Sequence, residues 1–438
     1  MRSRRDCSAT GKSYIKGILT LDVTLVCTLP AMERIVMAGM PAAGHLNPSL
    51  PLVRELVRRG TRVTYYTGEE FKDAVERTGA EFRGYPPGTI GSRDIAEATQ
   101  SGSSFAVVAR ILRATDTLLP FLLDELRDRP PSALVHDSNA LWGRMAGASL
   151  GLPRVSFMTT FMLGTKDLKV LTAREWARFI GPGLPDLPAV LSAKRRLVRR
   201  FGKALFPPAP TFPMRGDLTL FPIPRQLQPP NPLVDERCRF IGPSIEPRGD
   251  EPDGDLAGWL AGPEPVVLVS LGTLHAGSEA FFRDCFEALG DLPARVVMAV
   301  GRDTDPARLG RPPANTLVRA SVPQLAVLRH AATFVTHGGM NSALEGLGLG
   351  VPLVVVPQQV EQLIIGNAVA ERGAGTVLRQ HLSGRRVPPA ELRASVRRAL
   401  DDPALPAAAR AFGATFGEGG GPAAGVEAIY RMEVTRPA

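Results

Sequence analysis

The chain has 438 residues, 44% of them hydrophobic, and a formal net charge of +9. This length predicts two or three domains with substantial cores, and the 44 glycines and 40 prolines are too few for a low-complexity chain. The four cysteines, Cys7, Cys27, Cys238 and Cys285, are scattered, which argues against a disulfide framework and favours a reducing, cytoplasmic location.

The N-terminal segment, residues 1–31, differs from the rest of the chain. Arginines precede a moderately apolar stretch from Gly17 to Ala31, which loosely resembles a signal peptide. Asp22 interrupts this stretch, and it is too short to span a bilayer. Met32 is followed at once by a strand-like run. We therefore predict that residues 1–31 are a disordered extension or precede the true start, with a targeting segment as the alternative.

From Met32 onwards, strand-like and helix-like segments alternate. Residues 35–38 and 63–66 are apolar strands that flank a helical stretch at 50–59, which Gly60 ends. Further strands are predicted at 132–136 and 155–158. This βαβ order predicts a parallel sheet with helices on both faces.

The alternation is lost between 161 and 217, where apolar helix-like stretches mix with proline-rich loops. A basic run from Lys194 to Lys203 lies here, and we interpret it as the solvated face of a helix. The alternative is a patch that meets anionic lipid or an acidic partner. The sequence has no zinc spacing, RNA-binding signature or basic groove interleaved with aromatic residues, so we expect no nucleic-acid partner.

Two proline-rich stretches at 222–232 and 243–255 separate this part from a second α/β alternation, with strands at 266–269, 295–299, 333–336 and 353–356. A last helix is expected at 423–431. We predict two Rossmann-like domains with parallel sheets, and one large α/β domain with an insertion is the alternative. The predicted divisions are 1–31, the N-terminal domain 32–225, a linker 226–255, the C-terminal domain 256–420, and a helix within 421–438 that crosses back to the N-terminal domain.

The segment from Thr336 to Glu345 carries the strongest chemical signal. Two glycines after a buried strand allow a sharp turn, and Asn341 or Ser342 is predicted to cap the next helix. The start of a helix binds anions, and His337 adds a donor beside it. Glu345, one turn on, suits a ribose diol. The pattern predicts a pyrophosphate cradle, whereas the glycines alone would indicate only a tight turn.

The block from Val335 to Gln362 resembles the donor-binding signature of the UDP-dependent glycosyltransferases, most of all the bacterial macrolide group. The resemblance extends to three further segments: Gly44–Pro48, Ser270–Thr273 and Val322–Gln324. It covers the chain from about Met32 to the end, except the N-terminal extension and parts of 161–217. It implies the GT-B fold, in which two Rossmann-like domains face each other across a cleft.

The resemblance also implies roles for individual residues. The diphosphate is expected at His337, Gly339, Asn341 and Ser342, with Thr273 opposite, the base at Val322 and Gln324, the ribose at Glu345, and the sugar at Glu361 and Gln362. Plant relatives carry tryptophan where this chain has Ser321 or Val322, and again at Met340. The choice between UDP and dTDP therefore stays open.

Transfer of a sugar to a hydroxyl needs a base, because an alcohol is a poor nucleophile at neutral pH. His45 follows the first strand and matches the family's catalytic histidine. Asp137, at the end of the strand near 132–136, is expected to orient it. His136 is expected to point the other way, because neighbours on a strand face opposite sides.

The predicted enzyme is an inverting glycosyltransferase that uses neither metal nor cofactor, with a UDP-sugar as co-substrate. It would move a hexose, glucose, to an apolar natural product such as a macrolide, polyketide or flavonoid. The acceptor site is expected between the domains, at the apolar side chains Phe161, Met162, Leu163, Trp176 and Phe179. The alternatives are a dTDP-deoxysugar enzyme of antibiotic biosynthesis, a lipid-acceptor enzyme at the membrane surface, a sugar-nucleotide 2-epimerase, and a silent binding protein. A monomer or a homodimer is expected.

Overall fold

The structure, a computed structural model, describes residues 32–100, 102–164, 167–208, 211–245, 251–272, 279–301 and 304–434. Residues 1–31 and Thr273 lie outside these ranges, so what the sequence predicts for them stays a prediction. In the described residues the strands form a seven-stranded and a six-stranded sheet, and all strand pairs in both are parallel.

The first sheet has the order β3-β2-β1-β4-β5-β6-β7. Its strands are β1 Arg34–Ala38, β2 Arg62–Thr67, β3 Glu81–Gly84, β4 Ala133–Asp137, β5 Arg154–Phe157, β6 Leu218–Phe221 and β7 Cys238–Phe240. Ala38 of β1 pairs with His136 of β4. The residues that follow β1 and β4 therefore emerge at one edge of the sheet.

The helices of the first half are α1 Ala43–Leu46, α2 Leu50–Arg58, α3 Lys72–Glu76, α4 Ser92–Gln100, α5 Ser104–Arg127, α6 Leu141–Ser149, α7 Ala173–Ile180 and α8 Leu187–Phe201. The helices α2 and α6 pack on opposite faces of the sheet, α8 packs on α5, and α7 packs against the second half. In α2 the side chains of Leu52, Val53 and Leu56 recur at helical spacing and are buried. Gly60, with φ of 88°, lets the chain turn back into β2.

The second sheet has the order β10-β9-β8-β11-β12-β13. Its strands are β8 Val266–Ser270, β9 Arg295–Ala299, β10 Thr316–Arg319, β11 Ala331–Thr336, β12 Leu353–Val355 and β13 Gly375–Val377. The accompanying helices are α9 Gly254–Leu260, α10 Glu279–Leu289, α11 Gln324–Leu328, α12 Met340–Gly348, α13 Val360–Glu371, α14 Pro389–Asp401 and α15 Ala404–Ala414. Thr336 pairs with Ser270 and Val355, so these central strands also end at one edge.

The last helix, α16 Gly421–Val434, packs against α2 of the first half. Its residues Val426, Ile429 and Tyr430 are buried in the same cluster as Ile35 and Leu52. A hydrogen bond of 2.7 Å joins the hydroxyls of Tyr430 and Thr61. The end of the chain therefore completes the core on one face of the first sheet.

Several elements were not predicted from the sequence. The strands β3, β10 and β13 have three or four residues each, and each lies at a sheet edge, where the apolar signal is short. Strand β7 extends the first sheet into the segment 226–255 that was predicted as a linker. The segment 161–217 contains the helices α7 and α8. The exact domain divisions stay a prediction.

Candidate active site

His45 lies in the single helical turn α1, directly after β1, rather than in an irregular loop. Its Nδ1 is 2.9 Å from Oδ2 of Asp137, the last residue of β4. The His45 side chain is 24% exposed and that of Asp137 is 5% exposed. Oδ1 of Asp137 accepts a hydrogen bond from the backbone N–H of Asn139 at 2.8 Å. The carboxylate is therefore held in place on both sides.

The surroundings of His45 define its protonation. An ionised carboxylate only accepts hydrogen bonds, so Nδ1 carries the hydrogen and Nε2 presents a lone pair. Burial lowers the pKa of His45, but the charge of Asp137 and its hydrogen bond raise it more, so the pKa lies above 6.5. The arrangement is that of a general base with an orienting carboxylate.

His136 is fully buried and stands apart from this pair. Its Nδ1 donates to the backbone oxygen of Asp137 at 3.0 Å. Burial lowers its pKa to about 4, so it is neutral at physiological pH and stays within the core.

Thr159 and Thr160, which follow β5, were not singled out in the sequence. The Thr159 hydroxyl lies 2.8 Å from Nδ1 of His45. Thr160 hydrogen-bonds Glu361 at the start of α13, and together with the charge of His45 this opposes the rise that burial causes in the Glu361 pKa. A pair of threonines at the end of a strand next to β4 was the available signal, because β4 and β5 end at the same sheet edge.

Helix α12 begins at Met340 with Gly339 as its N-cap, and no side chain caps it. The prediction that Asn341 or Ser342 would be the cap is therefore wrong, since both lie within the first turn. The first backbone N–H groups of a helix have no intrahelical partner. Without a side-chain cap, these N–H groups are available to an anion.

The ring of His337 lies between two glycines from different loops. A Cβ at Gly339 would lie 2.3 Å from Nε2 of His337, and a Cβ at Gly272 would lie 2.7 Å from Cε1. The turn after β8 and the turn after β11 thus meet at this histidine. Thr273, predicted to approach the diphosphate, follows Gly272 directly but is outside the described residues.

The residues predicted for the base and the ribose are also close together. Nε2 of Gln324 donates to Oε2 of the buried Glu345 at 2.6 Å and to the Ser342 hydroxyl at 3.4 Å. Val322 packs, half-buried, against the neighbouring core. A cavity of about 450 Å³ lies between Pro48 and Arg54 on one side and Asn341 and Glu345 on the other.

Gln362 has a structural task that the sequence did not reveal. Its Oε1 accepts hydrogen bonds from the backbone N–H groups of Gln358 and Gln359, at 2.7 and 3.1 Å, and so caps α13. A contact from Gln362 to a sugar, if made, would therefore come from its amide nitrogen. Glu361 precedes it in the first turn of the same helix.

The apolar residues expected to line the acceptor site have other surroundings. Phe161 and Met162 are each 1% exposed and belong to a core cluster, so they are core residues and not an acceptor-facing wall. Leu163 packs against the same cluster. Trp176 and Phe179 of α7 pack beside Leu363 of α13. The segment 161–217 therefore joins the two halves of the molecule.

One polar contact connects the two predicted parts of the site. Nδ2 of Asn341 donates to the backbone oxygen of Gly44 at 3.2 Å. Asn341 is in the first turn of α12, and Gly44 precedes His45. The turn of the predicted diphosphate site therefore touches the turn that carries the predicted base.

Comparison with known proteins identifies the family. Residues 283–419 match the family described as erythromycin biosynthesis protein CIII-like, C-terminal domain. The chain is 31% identical to the uncharacterized UDP-glucosyltransferase YojK of Bacillus subtilis, over 80% of this chain and 86% of that protein. It is 32% identical to the oleandomycin glycosyltransferase of Streptomyces antibioticus, over 90% and 89% of the two chains.

The chain belongs to the UDP-dependent glycosyltransferase family. Among solved structures it resembles the glycotransferase of kitacinnamycin, with a TM-score of 0.76 and 31% identity over 92% of this chain and 99% of that one. The two parallel-sheet halves are those of the GT-B fold, as predicted. This glycosyltransferase is of the macrolide and natural-product type.

Among its described residues, the glycosyltransferase has no group of three or more His, Cys, Asp or Glu side chains arranged to hold a metal ion. That the reaction needs neither metal nor cofactor stays a prediction. So do the roles assigned to the individual site residues.

Proposed function

We propose that this glycosyltransferase moves glucose from UDP-glucose to a hydroxyl of an apolar natural product, such as a macrolide, polyketide or flavonoid, with inversion at the anomeric carbon. The observation that carries the proposal is the His45–Asp137 pair, 2.9 Å apart, within electrostatic reach of Glu361 from the other half of the molecule. The proposal puts a base, His45, and a sugar-binding carboxylate, Glu361, in one site; it is supported by the hydrogen bond between Glu361 and Thr160, the neighbour of Thr159, whose hydroxyl lies 2.8 Å from His45.

The reaction is a single displacement. Nε2 of His45 takes the proton of the acceptor hydroxyl. At the same time the hydroxyl oxygen bonds to the anomeric carbon from the face opposite the nucleotide. The bond from that carbon to the phosphate oxygen breaks, and UDP leaves with the electron pair. Asp137 stabilises the imidazolium that forms. His337, Ser342 and the start of α12 stabilise the charge on the departing diphosphate, in place of a metal ion.

Glu361 and Gln362 suit a hydroxylated hexose, because a carboxylate accepts hydrogen bonds and an amide nitrogen donates them. The similarity to YojK, which is named a UDP-glucosyltransferase, supports UDP and glucose. The second candidate is a dTDP-deoxysugar donor, since the chain is also 30% identical to a Streptomyces fradiae protein that is named demethyllactenocin mycarosyltransferase, after a sugar other than glucose. A lipid acceptor at a membrane surface is the third.

A donor and acceptor screen tests the proposal. The enzyme is incubated with UDP-glucose, dTDP-glucose or a dTDP-deoxysugar and with a panel of macrolides, polyketides and flavonoids, in buffer containing a chelator. We expect transfer from UDP-glucose, detected by mass spectrometry, and a loss of roughly 10²- to 10⁴-fold in His45→Ala. UDP binding, measured by calorimetry, should persist in that variant. Transfer from dTDP-deoxysugars alone, or a wild-type rate in His45→Ala, would contradict the proposal.

A further inference from the structure

Helix α8 and the turn before it form a surface that the reaction does not use. The helix packs on α5, with Ala193 and Leu197 buried. From Leu187 to Lys203 the chain contains no Asp or Glu. Six cations lie in this stretch: Lys194, Arg195, Arg196, Arg199, Arg200 and Lys203. Such a density of like charge predicts an anionic partner.

A row of exposed leucines accompanies the cations. Leu184, Leu187 and Leu191 are 56%, 36% and 44% exposed, and they are three of the four large hydrophobic side chains exposed in the described part of the chain. Leu187 and Leu191 are one helical turn apart and share a face, and Leu184 precedes them by one turn. Exposed large apolar side chains that cluster in this way mark an interaction site.

The arginines on the side of α8 away from the leucines are only partly neutralised. The Asp116 carboxylate of α5 lies 2.7 Å from the Arg200 guanidinium and 3.9 Å from that of Arg196, so one negative charge pairs with two positive charges. Arg196, Arg199 and Arg200 lie with Ser192 on one open side of the helix. Guanidinium groups suit phosphate oxygens, which they bind by paired hydrogen bonds.

We propose that α8 and the turn Gly181–Asp186 dock this enzyme on an anionic phospholipid surface. The leucines would enter the boundary between headgroups and acyl chains. Arg195 and Arg199, which follow Leu191 at successive i+4 positions of α8, would contact the headgroup phosphates, as in interfacial amphipathic helices. Exposed leucines next to these two arginines favour a lipid surface over an acidic protein. Among the described residues no helix is long and apolar enough to cross a membrane. The proposed contact does not depend on the donor or acceptor proposed above.

The test is cosedimentation of the full chain with vesicles of phosphatidylcholine alone or mixed equally with phosphatidylglycerol. We expect binding to the mixed vesicles only, weakening as salt is added. The double variant Arg195→Glu/Arg199→Glu should lose roughly tenfold or more in vesicle affinity. Leu187→Ser/Leu191→Ser, which keeps every charge, should also lose about tenfold. The matched control is Arg397→Glu/Arg398→Glu on α14, the same charge change on another exposed helix, which should bind like the wild type.

Circular dichroism and transfer to a water-soluble acceptor show that each variant is folded. Equal binding to neutral and mixed vesicles, or an equal loss in the α14 control, would overturn the proposal, as would unchanged binding in the leucine variant. If the wild type ignores vesicles but self-associates through these residues in analytical ultracentrifugation, the surface is a protein interface and the proposal is wrong. Vesicle binding by an enzyme that transfers no sugar would instead refute only the proposed function.

Discussion

The side-chain amide of Asn341 donates a 3.2 Å hydrogen bond to the backbone oxygen of Gly44, almost three hundred positions earlier in the chain. The bond joins the first turn of α12 to α1, which carries His45. If the diphosphate binds at α12 as proposed, the base and the leaving group are positioned by contacting segments. Binding of the donor would then stabilise the approach of the two halves.

This contact gives a graded prediction. Asn341→Ala removes the bond and should weaken UDP binding about three- to tenfold. Asn341→Asp should weaken it further, because a carboxylate repels both the Gly44 oxygen and the diphosphate at the start of the helix. Titration calorimetry with UDP measures both variants. If Asn341→Asp binds UDP as tightly as Asn341→Ala does, no anion binds at this helix start.

The raised pKa of His45 predicts the pH dependence of transfer. His45 must be neutral to accept a proton, so kcat/KM should fall as the pH drops through its pKa, which lies above 6.5. Asp137→Asn removes the charge that raises this pKa and leaves the burial that lowers it. The acid limb should therefore move to lower pH, and the plateau should fall by about two to four orders of magnitude. If the acid limb of the kcat/KM profile lies at the same pH in Asp137→Asn as in the wild type, a group other than His45 is titrating.

The glycine beside His337 can be tested without straining the backbone. Gly339 has φ of −60° and ψ of 145°, which alanine adopts readily. The added Cβ would lie 2.3 Å from His337 Nε2, so the ring must move. We expect UDP affinity to fall roughly tenfold with little change in melting temperature. Gly417→Ala, whose added Cβ has nothing within 4 Å, is the control. An equal loss of UDP affinity in this control would show that displacement of the His337 ring is not the cause.

The ion pair between α7 and the turn Arg379–Ser383 predicts a pH-dependent contribution to stability. Arg379 bonds both carboxylate oxygens of the buried Glu175, at 2.6 and 3.0 Å. Burial raises the pKa of Glu175, but the hydrogen bonds from Arg379 and Thr172 lower it more, to below 4.5. The stabilisation is thus complete above the ordinary glutamate pKa and lost as the pH falls through the folded one.

Arg379→Met should therefore lower the free energy of unfolding by about 1–3 kcal/mol at neutral pH, since Arg379 is partly solvated. The difference in the free energy of unfolding between the wild type and Arg379→Met should be smaller at about pH 3. Urea denaturation at both pH values measures it. Arg397→Met, which removes an exposed pair with Asp401, should change stability by less than about 0.5 kcal/mol. A pH-independent loss would indicate that packing, not charge, is responsible.

The features of the fold and the site that could be predicted from the sequence are those that lie within one continuous segment. The turn from Thr336 to Glu345 is a strand, two glycines and a helix in one continuous segment, and Asp137 stands at the end of an apolar strand. Contacts made only by folding were not predictable. Nothing in the spacing of Thr159 shows that its hydroxyl reaches His45. The resemblance implies a sugar contact for Gln362, but the backbone N–H groups that its side chain caps cannot be seen in a sequence.

The packing of α16 on α2 has a consequence for recombining this enzyme with its relatives. Tyr430 and Val426 fill the core beneath the first sheet, so the half that carries His45 is built from two separate pieces of chain. A chimera joined once, between the two halves, would combine the first sheet with a foreign closing helix. Exchange of the half that carries His45 therefore requires two junctions, with residues from Gly421 onward transferred together with the N-terminal piece.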